Sequence, residues 1–399
     1  MATRTEHSRA HGELLARHAR DFASAFGPGA PPRLFFSPGR VNLMGAHLDY
    51  NGGPVMPTAI DRGTFFAVRA RADRGLLLAS TSEARRFALD LDGAAFARQG
   101  HWVDYPAGVI EALRGLAPRA PGLEILFGGN LPVGAGLSSS ASICVGTAYV
   151  LDKLWELQLR APARVDVALR AEREFVGVRC GMMDPFAVGL AQPGHILWLD
   201  CKDGSNARLP LDSKRVAIAV ADTGVRRELA QGAFNERVAQ AAAAFAALAP
   251  FEVGATCLRD IPAGVFEARR SKLDPVLARR AEHVITEVAR TFSARQALEA
   301  NDVSCFGSQM FAAHRSLRDL YDVSCPELDV LVDAAGEASG VLGSRLTGAG
   351  FGGCVVILIE ADKIESAVEH VARGFEVRFG RRPPIDVFAT DAGPREIST

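Results

Sequence analysis

The stretch "LPVGAGLSSSAS", Leu131 to Ser142, decides how the rest of the chain is read. It continues "LEILFGGN", an apolar run of strand character, and it opens a long apolar segment of helical character from Ala141 to about Leu157. A glycine turn that feeds a helix presents backbone N–H groups and the positive end of the helix dipole to an anion. Gly134 and Gly136 let the backbone curl around phosphate oxygens, while Ser138, Ser139 and Ser140 add hydroxyls, so the segment reads as a nucleotide-phosphate loop. It is not a Walker loop, because no Gly-Lys-Ser/Thr follows, and it is not a GxGxxG turn with an acidic residue at the dinucleotide distance.

Around this loop the chain alternates strand-like and helix-like segments. "PPRLFFSPGRVNLMG", "GTFFAVRARA" and "GHILWLDCKD" read as strands, and "ARVDVALRAEREFVGV" as one helix. A second block opens with the strand "KRVAIAVADTG", continues through Ala-rich helices such as "DPVLARRAEHVITEVARTFSARQALEA", and reaches "GSRLTGAGFGGCVVILIE", a glycine loop before a strand. Mixed elements in two blocks predict an α+β fold of two domains, residues 1–208 and 209–399. With 45 basic against 46 acidic side chains, nothing points to nucleic acid or an anionic membrane as partner.

Seven cysteines, an odd number without a CxxC pair, predict reduced thiols and a cytoplasmic location. In the opening segment Glu6, Glu13 and Asp21 interrupt any transit-peptide pattern, and Leu14, Leu15, His18, Phe22 and Phe26 recur at helical spacing. An amphipathic helix packed on the body is the expectation. No apolar run approaches a bilayer-spanning length.

Two further segments belong with the loop: "GRVNLMGAHLDYNGG", Gly39 to Gly53, and "LTGAGFGGC", Leu346 to Cys354. Each alone could be turn chemistry. The three in this order resemble the three motifs of the GHMP kinase superfamily, and the first of them, with "CGMMDP" and "HRSLRDLYDVSCPELD", resembles the galactokinase branch, over about Ser37 to Val356. The resemblance implies a two-domain α+β kinase in which ATP and a small sugar meet between the domains, with Mg2+ as cofactor.

Carried onto this chain, the family pattern makes Gly134, Ala135, Gly136, Leu137, Ser138, Ser139 and Ser140 the wrap around the ATP phosphates, and Gly348 and Gly350 the closure from the second domain. Ser140 and Glu172 would be the magnesium ligands, hard oxygen donors of the kind that ion prefers. Asp184 would be the catalytic base at the sugar's anomeric hydroxyl, with Arg40 as its electrostatic support. His47, Asp49, Gly181 and Phe234 would contact the sugar, an aspartate being well suited to accept from vicinal hydroxyls. Cys354 is not read as a nucleophile, since phosphoryl transfer needs no thiol.

The chain departs from that family at Ala46, where galactokinases carry the Glu of a "GEHTDY" segment beside the sugar's C6 hydroxyl. Losing a charged hydrogen bond to a substrate costs about 1.5–3 kcal/mol. Removing the carboxylate makes room for a sugar with its own carboxylate, as in the "GAH" of plant galacturonokinases, so Ala46 favours D-galacturonate over D-galactose. A water in place of the glutamate is the alternative. Phe234 stands for a usual tyrosine, Pro185 for a glutamine and Leu48 for a threonine. Arg226 and Arg227 are the candidates for holding a sugar carboxylate. Rival readings are an arabinokinase or another GHMP small-molecule kinase, and a non-catalytic sugar sensor of galactokinase type.

Overall fold

The computed structural model describes residues 4–132, 136–178, 180–226 and 230–397. Among these residues the strands form three sheets. The first has the order β13-β1-β3-β6-β4-β5, built from β1 (Arg33–Asn42), β3 (Pro57–Ala70), β4 (Gly75–Ser80), β5 (Glu83–Asp90), β6 (Leu123–Gly129) and the late strand β13 (Arg395–Ile397). Its neighbours are antiparallel except β4 and β6. A small sheet joins β2 (Pro54–Val55), β7 (His195–Asp200) and β8 (Asn206–Pro210). The third, of order β10-β11-β9-β12, is antiparallel and contains β9 (Val216–Asp222), β10 (Val341–Thr347), β11 (Cys354–Glu360) and β12 (Ile385–Phe388).

The first sheet is apolar on both faces because each face is covered by helix. Phe35, Phe66 and Val68 point to a core shared with α2 (Asp104–Arg114), α3 (Ser139–Leu154), α4 (Ala161–Arg170) and α5 (Met183–Leu190). Their neighbours Leu34, Phe36, Phe65 and Ala67 point the other way, onto Leu15 and Phe22 of α1 (Arg4–Phe26). The amphipathic first helix is therefore present and packed as its spacing predicts. In the second block Ala219, Ala221, Val355 and Ile357 face the helical layer of α6 (Ala230–Leu248), α7 (Ala263–Arg269), α8 (Pro275–Glu299), α10 (Pro326–Glu337) and α11 (Ile364–Phe379). On the opposite face Ile218, Val220, Val356 and Leu358 pack with Met310 of α9 (Val303–Ser316) and with Ile196 and Trp198 of β7. That cluster also takes in Val41 of β1, Met44 just beyond it and Leu137 of the phosphate loop, so strand and loop are anchored by side chains from both blocks.

One expectation is corrected here. The single helix read over "ARVDVALRAEREFVGV" is α4 followed by a π-helical turn, Ala171–Val176, that places Glu172 off the α-helical register. Sequence periodicity does not report such a one-residue widening, and π-turns concentrate where a side chain must be re-aimed. The predicted helix after the phosphate loop begins at Ser139 rather than Ala141. All seven cysteines are free thiols, and among the described residues no helix is long and apolar enough to cross a membrane.

Phe66 marks how tightly the first sheet meets α3: a Cβ on Gly146 would lie 2.4 Å from its ring. Phe66→Ala is expected to remove about 3–5 kcal/mol of unfolding free energy in a urea titration, against a shift near zero if this contact were not part of the core.

Candidate active site

The site begins with a bulge. The pairing of β1 with β3 slips between Pro38 and Gly39, and there the phosphate loop closes on β1: Arg40 N–H donates to Leu137 O at 3.1 Å. A Cβ on Gly39 would fall 2.7 Å from that same carbonyl, so only glycine permits the approach. The bulge aims the Arg40 side chain across the loop. Its Nη1 donates to Gly136 O at 2.6 Å, and its Nε and Nη2 form a forked pair with Asp184 Oδ1 and Oδ2 at 2.7 and 2.6 Å. Asp184 sits in the first turn of α5, and Ser138, in left-handed backbone at φ 60°, donates its hydroxyl to Asp184 Oδ2.

These groups open on a cavity of about 510 Å3, of the size that takes a small ligand. Arg40, Asp184, Gly136, Leu137, Ser138, Ser139 and Ser140 line it together with Ala46, His47, Asp49, Gly181, Phe234 and Gly348. So the structure brings together most of the residues singled out from the sequence, from segments more than 300 positions apart. Gly348 approaches Gly136 closely, with 3.7 Å from a would-be Cβ to the other's Cα. Gly134 and Ala135 lie outside the described residues.

Two of the expected residues do not line the cavity. Gly350 is not on the cavity wall; its positive φ and a would-be Cβ 2.3 Å from Val323 O make it a packing glycine of the loop behind Gly348. Arg226 is not at the cavity either: its guanidinium forks onto Asp222 at 2.9 and 2.6 Å. Arg227 lies outside the described residues. The sequence reading also passed over Tyr50, Asn42, Cys180 and Met183, which line the cavity. Tyr50 stood inside a quoted motif, where its phenol now bonds His47 Nδ1 at 2.8 Å and Tyr321 at 2.9 Å.

Burial sets the charge states. His47 is held neutral, its imidazole lowered to about 3 first by desolvation and then by the Arg345 charge. Phe234 and Tyr50 surround it, ring centroids 5.9 Å away in each case. The Asp49 carboxyl is pushed up to about 6, by desolvation and then by the negative charge of Asp184. Glu172 is buried and pushed up to about 7, again by desolvation before the repulsion from Asp184. The Ser140 hydroxyl and the Cys144 and Cys180 thiols face its carboxylate, yet Oε1 has no hydrogen-bond partner among the described residues. An orphaned, desolvated carboxylate oxygen beside a hydroxyl in the first turn of α3, at the end of the phosphate loop, fits magnesium, which takes few protein ligands and completes its shell with water and phosphate oxygens.

Comparison with known proteins identifies the family of the chain. Residues 20–70 match the family model for the galactokinase galactose-binding signature, residues 81–192 that for the GHMP kinase N-terminal domain, and residues 294–377 that for the GHMP kinase C-terminal domain. The galactokinase of Clostridium beijerinckii is 39% identical over 381 residues, covering 94% of this chain and 97% of that protein. The galactokinase of Chloroflexus aggregans is 40% identical over 354 residues, 88% of this chain and 90% of its own. Among solved structures, the Lactococcus lactis galactokinase complexed with galactose superposes with a TM-score of 0.90 at 32% identity, covering 96% of this chain and 100% of that one. The Methanococcus jannaschii mevalonate kinase, TM-score 0.68 at 19% identity over 92% of this chain and 100% of that one, has the same fold.

The site yields two expectations. A Cβ on Gly181 would lie 2.0 Å from Asp49 Oδ2, so Gly181→Ala must displace that carboxylate; KM for the sugar is expected to rise about ten- to a hundredfold with the melting temperature unchanged, and an unaltered KM would free Asp49 of any sugar contact. Glu172 binds its proton more tightly folded, at about 7, than at its ordinary 4.5. Its contribution is therefore full below about pH 4.5 and is lost as the pH rises through 7. Glu172→Gln should stabilise the ligand-free protein by about 1–3 kcal/mol above pH 7 and by little near pH 4.5, a difference that melting curves across this range will register.

Proposed function

The chain belongs to the galactokinase family of the GHMP kinases, and we propose that it transfers the γ-phosphate of ATP to the anomeric hydroxyl of a galactose-configured sugar. The observation that carries this reading is the Arg40–Asp184 fork opening on the cavity that the phosphate loop, His47 and Asp49 share. Asp184 is the base. Each carboxylate oxygen offers about two acceptor sites; Oδ2 is filled by Arg40 Nη2 and Ser138, while Oδ1 takes Arg40 Nε alone and keeps one site for the sugar hydroxyl. The proton of that hydroxyl passes to Asp184 as its oxygen bonds the γ-phosphorus, and ADP leaves with the electrons of the broken P–O bond.

Arg40 holds the carboxylate in place and offers positive charge to the transferred group. The N-terminus of α3 and the loop from Gly134 to Ser140 receive the phosphates, with Gly348 closing from the second block. Ser140 and Glu172 would hold magnesium, which when bound neutralises phosphate charge. His47, Asp49, Gly181 and Phe234 frame the sugar. The division at Leu209 into an N-terminal and a C-terminal kinase domain is part of the same proposal; it falls in β8, the last strand before the chain enters the third sheet.

Two acceptors differ at C6 alone: D-galactose, named with the Lactococcus lactis relative, and D-galacturonate, for which Ala46 leaves room. A non-catalytic sensor would bind sugar and ATP without turnover, and the intact Ser138–Asp184–Arg40 arrangement favours the enzyme. An ADP-release assay with magnesium-ATP and each sugar tests the proposal. Asp184→Asn is expected to lower kcat by about 10²- to 10⁴-fold with KM nearly unchanged. Near-normal turnover by that variant removes Asp184 as base, and no ADP release with any sugar removes the kinase.

A further inference from the structure

The segment "HRSLRDLYDVSCPELD" has no part in the mechanism above, yet its middle reaches the cavity from behind. The chain leaves α9 through a π-helical turn, Leu317–Tyr321, and passes Asp322 in left-handed backbone at φ 58°. Carbonyls exposed at such a helix end need donors, and two arginines supply them. Arg280 Nη1 donates to Leu320 O at 2.5 Å, while Arg237 donates from Nε to Tyr321 O and from Nη2 to Asp322 O, each at 2.9 Å. Held in this way, the turn touches both loops that frame the cavity. Val323 O accepts from Phe351 N–H at 2.7 Å, in the loop that carries Gly348. The Tyr321 hydroxyl lies 2.9 Å from that of Tyr50, in the loop that carries His47 and Asp49.

The protons along this contact follow from the partners. Burial keeps His47 neutral, so one ring nitrogen carries hydrogen, and it keeps both phenols protonated, so each has one O–H to give. Tyr50 occupies Nδ1 at 2.8 Å. Nε2 is buried without a hydrogen-bond partner among the described residues, and the Ala349 carbonyl, next to Gly348, is set against the ring so as to favour hydrogen on it. With Nδ1 taken, that carbonyl falls to Nε2. Two acceptors facing one another repel, so Nε2 carries the hydrogen and Nδ1 accepts. Tyr50 therefore donates to Nδ1, and with its one proton spent there, Tyr321 is the donor in the bond between the phenols. The Asn51 side chain donates to the Tyr321 oxygen in turn, and the Tyr321 ring packs against the imidazole with centroids 4.9 Å apart.

We propose that Tyr321 and Tyr50 are positioning residues of the site: the hydrogen-bond chain from Tyr321 through Tyr50 to His47 Nδ1 fixes the imidazole as its Nε2–H tautomer and holds it against the loop of Gly348 and Ala349. The role in turnover rests on the sugar-kinase reading; the tautomer does not. A buried chain in which every member has its partner is rigid, and it specifies one arrangement of the groups at its end. The turn Tyr321–Val323 thereby sets the His47 loop and the Gly348 loop relative to each other, through a side chain on one side and a backbone carbonyl on the other. Neither phenol is assigned a part in the chemistry; both act through His47.

The test joins long-range proton–nitrogen NMR of the full-length, histidine-labelled protein with kinetics on D-galactose and D-galacturonate. In the wild type His47 should show one tautomer, protonated at Nε2 and bare at Nδ1; Tyr50→Phe should give a mixture of the two, and Tyr321→Phe should keep the first. Each single variant should raise KM for the sugar that is phosphorylated by about two- to tenfold, with KM for ATP unchanged. The double variant should be no worse than Tyr50→Phe, because a chain already broken loses nothing more at its second link, whereas two independent packing effects would add. Hydrogen on Nδ1 in the wild type, an unchanged sugar KM in Tyr50→Phe, or additive losses in the double variant overturns the proposal while the kinase reading stands. If a variant does not fold, the wild-type tautomer decides. Phosphorylation of neither sugar overturns the kinase reading, and the tautomer still decides the chain.

Discussion

The fork between Arg40 and Asp184 is the interaction on which the rest of the site depends. It spans 144 residues and joins three things that the chain makes separately: a bulged strand, a glycine loop and the first turn of a helix. The same guanidinium reaches Gly136 O, so the loop expected to hold phosphate and the carboxylate expected to take a proton are set by one side chain. A planar group with donors in a fixed fork can do this; an ammonium could hold either partner but not both in a defined geometry. Gly39 is the condition for it, because any side chain there would keep the loop away from β1.

Around that pair the protein keeps several carboxyl groups in conditions they would not meet in water. Asp49 and Glu172 are each raised by desolvation and by their nearness to Asp184. Two desolvated carboxyl groups beside Asp184 cost stability, and an arrangement of that kind persists when ligands supply compensating charge and hydrogen bonds.

Much of this was legible in the sequence, for a physical reason. Phosphate loops and tight approaches need glycine, and the residues they position follow within a few places, so Gly136, Ser140, Arg40, His47 and Asp49 were all found in short quoted segments. The helix of residues 4–26 declared itself through periodicity, as did β1, β3, β6, β7, β9 and β11, whereas short strands such as β4, β5 and β8 were not singled out. What stayed hidden depends on long-range contact. Nothing local distinguishes Arg345, whose carboxylate partner Glu287 lies on a helix 58 positions earlier. Gly350 looked like its neighbour Gly348 because both sit in one motif, and only the packing of Val323 separates their roles. Arg226 was a candidate by type, and its partner Asp222, four residues before it, had already claimed it.

The account stands or falls on where the phosphate goes. Phosphorus-coupled proton NMR of the product formed from magnesium-ATP and a galactose-configured sugar reads this directly. The site geometry predicts a phosphate on the anomeric oxygen, seen as coupling of phosphorus to the H1 resonance, with ADP formed in equal amount. A phosphate on another hydroxyl, or ADP formed with the sugar unchanged, would contradict the role given to Asp184 and to the cavity it faces.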